Sequence, residues 1–126
     1  MESDLHKVLK TDQPITDDHA QYFLYQLLKA LRYMHKASLV HRDIKPSNIL
    51  LNTECDILLC DFGLSRGIEE GLEDLTEYVV TRYYRAPEIM LSSHEYTQAV
   101  DIWSVGCTFG EILSRKVMFP GQNYIK

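Results

Sequence analysis

The chain has 126 residues, 45% of them apolar and 25% charged, with six glycines and four prolines. That is the size and composition of a globular domain, and it excludes a disordered, collagen-like or disulfide-stapled chain. Thirteen basic residues against eighteen acidic give a net charge of −5. Five of the acids (Glu69, Glu70, Glu73, Asp74 and Glu77) fall in one short stretch, and the remainder is balanced. There is no basic excess of the kind a nucleic-acid surface requires. Three cysteines, Cys55, Cys60 and Cys107, have neither the number nor the spacing of a disulfide framework or a zinc set. A reducing compartment is therefore expected. The longest uncharged runs, such as 102–110, are too short to cross a bilayer. Met1 is followed by Glu2 and Asp4, the opposite of a basic leader. Cytoplasm and nucleus are the expected locations, without a nucleic-acid or membrane partner.

The first long periodic segment runs from Asp17 to Lys36. Ala20, Leu24, Leu27, Leu31 and Met34 recur at spacings of four and three, which places them on one helical face. Thr16 is positioned to cap this helix. Asp17 and Asp18 in its first turn, and Arg32 and Lys36 near its end, complement the helix dipole. Its aromatic residues Tyr22, Phe23, Tyr25 and Tyr33 are read as packing groups. Two short apolar runs follow, 49–51 and 57–60, joined by Asn52-Thr53-Glu54-Cys55-Asp56. They read as a small β-hairpin. Positions 63–81 have no sustained period and carry the acid cluster, which predicts a long loop of a kind usually kept for function. A second helix is expected over 97–114. Val100, Ile102, Trp103, Val105, Cys107, Phe109, Ile112 and Leu113 put apolar groups nearly all round it, as in a central, buried helix. Two long helices and a hairpin give such a helix few partners. The chain reads as part of a domain, cut at both ends.

The hairpin brings two oxygen ligands together. Asn48 precedes its first strand and Asp61 follows its second, and in an antiparallel pair those two ends lie side by side. An amide oxygen beside a carboxylate suits a hard cation such as magnesium. Upstream, His41-Arg42-Asp43-Ile44-Lys45-Pro46 adds a carboxylate and an ammonium on a proline-fixed loop. Asp43 has the chemistry to take a proton from a hydroxyl nucleophile, and Lys45 to neutralise a transferring phosphoryl group. Taken singly, each has a plainer explanation: Asp43 caps a turn, Asn48 and Asp61 punctuate strands, and Lys45 is solvated.

Taken together they match a pattern. His41 to Asn48 resembles the catalytic-loop signature of protein kinases, with Asp61-Phe62-Gly63 and Ala86-Pro87-Glu88 following in order. Asp101-Ile102-Trp103-Ser104-Val105-Gly106 resembles the helix that anchors that loop. Thr76-Glu77-Tyr78, then Val79 to Arg85, is similar to the activation lip of mitogen-activated protein kinases of the Thr-Glu-Tyr type. The resemblance spans essentially the whole chain. It implies an α+β, protein-kinase-like fold. Residues 1–126 would be a partial kinase domain comprising hinge, catalytic loop, activation segment and central helix. This is a mostly helical C-terminal lobe with a small β-hairpin, lacking the N-lobe and the late C-lobe helices.

Residue by residue, the resemblance implies that Asp43 is the catalytic carboxylate and that Lys45 contacts the γ-phosphate. Asn48 and Asp61 would be the magnesium ligands. Met1, Asp4, Ser47 and Leu50 would line the ATP site, with Met1 to Asp4 as the hinge, Asp4 near the ribose and Leu50 as the adenine floor. Thr76 and Tyr78 would be the phosphorylation sites. Arg42 and Arg66 would receive the phosphothreonine, and Arg82 and Arg85 the phosphotyrosine. Thr81 and Arg82 would shape a substrate pocket favouring proline after the acceptor residue. Asp101 would hold the backbone around His41 and Arg42, and Glu88 would be a second structural anchor, paired with an arginine beyond Lys126. The acid cluster is either solvated or an occupant of the same arginines before phosphorylation. Cys60 is either an inert buried thiol or a site of covalent modification. Tyr83 and Ser65 depart from the family's usual Trp and Ala.

The implied function is an ATP-dependent, proline-directed serine/threonine kinase of a MAP kinase cascade, with ATP and magnesium as cofactors. The implied partners are protein substrates with Ser/Thr-Pro sites, an upstream dual-specificity MAP kinase kinase, and phosphatases. The alternative for the chain as it stands is an inactive binding module or decoy. The glycine-rich loop, the Val-Ala-Ile-Lys lysine and its glutamate partner would all lie upstream of Met1.

Overall fold

The computed structural model describes residues 3–60, 82–91 and 97–121. Within them the elements are β1 (Ser3–Asp4), α1 (Leu5–Leu9), α2 (Asp17–Lys36), a 3-10 turn (Pro46–Asn48), β2 (Ile49–Leu51) and β3 (Ile57–Leu59). A second 3-10 turn (Arg82–Tyr84), α3 (Pro87–Leu91) and α4 (Ala99–Ser114) follow. Among the described residues, no helix is long and apolar enough to cross a membrane.

Helix α2 has the predicted bounds. The Thr16 hydroxyl accepts the His19 N–H at 3.2 Å, and His19 Nδ1 accepts the Thr16 N–H at 3.4 Å. This is a capping box with histidine in the place usually held by Glu or Gln. Ala20, Phe23, Leu27, Leu31 and Met34 are buried, so Phe23 takes the central place expected of Leu24, which packs at the core's edge. Tyr22, Tyr25 and Tyr33 are exposed rather than packed, because they fall off the buried stripe of the helix. Tyr22 donates to Asp56 Oδ1 at 2.8 Å, and the Lys29 ammonium lies 5.7 Å from the centre of the Tyr25 ring.

The predicted hairpin is present but has a third strand. β1 pairs antiparallel with β2, which pairs with β3. β1 has two residues, too few to show a period in the sequence. The hairpin loop is built on Asn52, whose Oδ1 accepts the N–H groups of Glu54 at 2.9 Å and Asp56 at 3.0 Å. Cys55 closes it with a left-handed φ of 66°. Gln26 of α2 spans the next residues, donating to the Cys55 carbonyl at 2.9 Å and accepting from the Ile57 N–H at 3.0 Å. Ile49 and Leu51 face the core. Leu50, opposite Asp4 and Leu58, faces the other side of the sheet.

Helix α1 was not evident in the sequence. Asp4 caps it, accepting the Lys7 N–H at 2.8 Å, and Leu5 is buried in the core. Its five residues are too few for an apolar stripe to register.

Helix α4 begins at Ala99, two residues later than expected, and it is not apolar all round. Ile102, Trp103 and Leu113 are exposed, with Trp103 stacked on Phe119 at 5.8 Å between ring centroids. Its buried side carries Asp101, Ser104, Thr108 and Glu111 beside Val100, Val105 and Ile112. For Asp101 and Ser104 the reason is that this side meets backbone of other segments, whose N–H and C=O groups need polar partners. The Ser104 hydroxyl donates to the Tyr84 carbonyl at 2.6 Å, and the Tyr84 hydroxyl donates to Glu111 Oε1 at 2.5 Å. Burial pushes the Tyr84 phenol well above its ordinary value, and the Glu111 carboxylate pushes it further. Burial also pushes the Cys107 thiol up to about 11, partly opposed by a hydrogen bond to its own backbone.

Two outcomes follow for stability. Tyr84→Phe strips a buried carboxylate of its donor and should cost about 1–3 kcal/mol, whereas Glu111→Gln keeps an acceptor and should cost less. Urea denaturation of the two variants ranks them. Cys107 and Tyr84 are raised in the folded state, so their protonated forms favour folding. The Cys107 contribution is complete below pH 9.0 and is lost as pH rises through about 11. Cys107→Ala should remove that part of the alkaline decline in unfolding free energy, measured by denaturation between those pH values.

Candidate active site

The segment 41–45 has no regular structure, and side chains hold its backbone, Asp101 first among them. Asp101, fully buried in the first turn of α4, accepts the His41 N–H through Oδ2 and the Arg42 N–H through Oδ1, each at 2.8 Å. His35, near the end of α2, meets Oδ2 at 2.9 Å. A carboxylate offers only lone pairs, so the His35 Nε2 must carry the hydrogen. Gln98, just before α4, donates to the His35 carbonyl at 3.0 Å and joins the two helix ends. With its N–H fixed, Arg42 takes a left-handed φ of 72° that turns the chain toward Asp43.

His41 adds a second constraint. Its ring is fully buried, and Nδ1 accepts the Asp43 N–H at 3.1 Å. Nε2 therefore bears the hydrogen and donates to the Cys60 carbonyl at 3.0 Å.

Asp43, Lys45 and Asn48 come together. The Asp43 Oδ2 receives the Asn48 amide N–H at 3.1 Å, and the same amide nitrogen donates to the Asp43 carbonyl at 2.8 Å. The Lys45 ammonium stands 3.7 Å from Asp43 Oδ2, with 11% of its side chain exposed. In so dry a setting the attraction between the two charges is much stronger than in water. Pro46 opens the 3-10 turn that swings Asn48 back under Asp43. Both amide hydrogens of Asn48 are engaged by Asp43, so its oxygen is the atom fit for a hard cation. Cys60 donates its N–H to the Asn48 carbonyl at 2.9 Å, which carries the predicted adjacency of the strand ends as far as the residue before Asp61. Among the described residues, no group of three or more His, Cys, Asp or Glu side chains is placed to hold a metal. A cation here would depend on Asn48 together with Asp61, which lies outside the described residues.

The remaining predicted residues are dispersed. Asp4 caps α1 and stands opposite Leu50, which is half-buried on the outer side of the sheet. Ser47 is exposed in the first 3-10 turn. Arg42 and Arg82 are half-buried and Arg85 is buried, with its N–H donated to the Arg82 carbonyl at 3.3 Å. Glu88 is exposed in the first turn of α3. Met1, Arg66, Thr76, Tyr78 and Thr81 lie outside the described residues, as do Phe62, Gly63, Ser65 and the acid cluster. Sequence reasoning missed His35, Ser104 and Glu111 and gave His41 no role of its own. The position of His41, two residues before Asp43 on a turning chain, was the one usable signal.

The family model for the protein kinase domain matches residues 1–126. Mitogen-activated protein kinase 13 of Arabidopsis thaliana is 59% identical over 126 residues, covering 100% of this chain and 34% of that relative. Mitogen-activated protein kinase 6 of Oryza sativa subsp. japonica is 56% identical over 126 residues, or 33% of its length. Mitogen-activated protein kinase 5 of Arabidopsis thaliana is 56% identical over 125 residues. The chain spans about a third of the length of the curated relatives it matches. A match that runs from end to end, through the loop, hairpin and polar-faced helix described above, makes this chain a member of the protein kinase domain family, similar over its whole length to mitogen-activated protein kinases.

Proposed function

We propose that the protein containing these residues transfers the γ-phosphate of ATP to serine or threonine hydroxyls of proteins, at sites followed by proline. The observation that carries this reading is the buried meeting of Asp43, Lys45 and Asn48. Asp43 is held by its neighbours while its carboxylate remains able to orient a hydroxyl and take its proton. Lys45, beside it, places a positive charge where a phosphoryl group crosses to that hydroxyl. Asn48 and Asp61 are the residues that would hold magnesium, which neutralises phosphate charge when bound. Asp4 and Leu50, in register on the outer side of the sheet, supply a polar edge and an apolar floor for ribose and adenine, with Met1 and Ser47 completing that site. Thr81 and Arg82 would select proline after the acceptor.

Regulation on this reading is by phosphorylation of Thr76 and Tyr78 by a dual-specificity MAP kinase kinase, reversed by phosphatases, in cytoplasm and nucleus. Each phosphate adds about −1.5 to −2 of charge beside an already acidic run. Arginine contacts from Arg42, Arg66, Arg82 and Arg85 must outweigh that repulsion. Charge-assisted hydrogen bonds are worth roughly 1.5–3 kcal/mol each. Repulsion among solvated carboxylates is smaller and screened by salt. The arginines win, so dual phosphorylation activates.

Asp43→Asn keeps the size of the side chain but cannot take a proton. In the full-length kinase it should lower kcat by roughly 10²–10⁴-fold with ATP affinity retained, read by peptide phosphorylation and nucleotide titration. Wild-type turnover in that variant would end the assignment of Asp43. For regulation, Arg85→Lys preserves charge and loses the planar fork. It should blunt activation when Thr76 and Tyr78 carry the same phosphate stoichiometry as wild type. Equal activity would show that charge alone suffices.

A further inference from the structure

Arg115 follows α4 directly, and its backbone is left-handed, at φ 61° and ψ 16°. That conformation at a helix end is most comfortable for glycine, so the sequence carries a large side chain where the backbone favours none. The side chain has a definite task. Its guanidinium donates through Nη1 to the carbonyls of Val8 at 3.5 Å, Leu9 at 3.2 Å and Thr11 at 3.1 Å, and through Nη2 to that of Gln13. These carbonyls belong to the last turn of α1 and the chain just after it. That of Val8 already accepts the Thr11 N–H at 3.1 Å and the Thr11 hydroxyl at 2.7 Å, so the guanidinium serves chiefly those of Leu9, Thr11 and Gln13. A cation there also complements the helix dipole.

At its other end, α1 begins at Asp4, whose carboxylate caps the helix and whose backbone pairs with Leu50. Helix α1 also packs against β2 and the turn that carries Ser47 and Asn48. Helix α4 thus grips both sides of the candidate site, the catalytic loop through Asp101 and the nucleotide edge through Arg115.

We infer that Arg115 is a positioning residue for the nucleotide: by clamping the carbonyls of α1 and the following turn, it holds Asp4 and the adjoining rim in place. The inference rests on the reading of Asp4 as a nucleotide contact. A rigid rim lowers the ordering cost of binding ATP without touching the reacting atoms. Loss of the clamp therefore appears in KM for ATP rather than in kcat. Lysine, a single point donor, replaces the fork only in part.

The test uses the full-length, activated kinase with Arg115→Gly, Arg115→Lys and Asp4→Ala. Glycine removes the guanidinium and suits the left-handed backbone, so the helix end is preserved. Arg115→Gly should raise KM for ATP roughly fivefold with kcat within about twofold of wild type, and Arg115→Lys should fall between. Hydrogen exchange at the amides of Lys7 to Lys10 should quicken in the glycine variant while the thermal midpoint holds. If Asp4→Ala raises KM for ATP and Arg115→Gly does not, the clamp is refuted and the nucleotide reading stands. Unchanged KM in Asp4→Ala refutes that reading and the inference with it. A parallel fall in kcat and thermal midpoint in Arg115→Gly would make the residue merely structural and overturn the proposal.

Discussion

A carboxylate without solvent sits at the centre of this structure. Removing Asp101 from water costs several kcal/mol unless its charge is met by donors. Three nitrogens meet it, two from the backbone of His41 and Arg42 and one from the ring of His35. Hydrogen bonds to a charged group contribute roughly 1.5–3 kcal/mol each, enough together to offset the burial. What the protein gains is a loop that turns through a left-handed residue inside the molecule, with its amides satisfied by a rigid helix rather than by water. The orientation of Asp43, and through it of Lys45 and Asn48, descends from that anchorage.

Helix α4 extends the same logic along its length. Asp101, Ser104 and Glu111 succeed one another on its buried side and engage the irregular backbone at His41 and Arg42 and the short 3-10 turn that ends at Tyr84. A fully apolar helix would have packed more easily and held nothing. Here the packing of Val100, Val105 and Ile112 supplies cohesion, while the polar residues between them assign places to irregular backbone. The tyrosine–glutamate contact extends that hold to the stretch that carries Arg82 and Arg85.

The features legible in the sequence were those written in repeated or ordered residues. Helix α2 could be read to the residue, because its apolar stripe, its threonine cap and its terminal charges agree. The strands β2 and β3 were legible from two apolar runs around a polar loop. The cluster of Asp43, Lys45 and Asn48 was legible because one short loop contains it all. β1 and α1 are too short for any period to register. The Ile-Leu-Leu of β2 does not say which residue faces outward; only pairing with β1 and β3 decides that Leu50 does. The polar side of α4 stayed hidden for a different reason. Its residues are satisfied by groups far away in the chain, and a hydropathy pattern records neighbours along the sequence rather than across space. His35 is the clearest case, 66 residues from the carboxylate it supports.

The imidazole of His41 has a mechanical meaning beyond its hydrogen bonds. It stands between the amide of Asp43 and the carbonyl of Cys60, touching each with one nitrogen. A five-membered aromatic ring has no internal torsion, so the distance between its two contacts is constant, as in a strut. The ring thus couples the backbone at Cys60 to that at Asp43 through two hydrogen bonds and no rotatable bond between them. The amide of Asp43 and the carbonyl of Cys60 therefore have a shared frame of reference: the separation of the two nitrogens that hold them is a property of one ring.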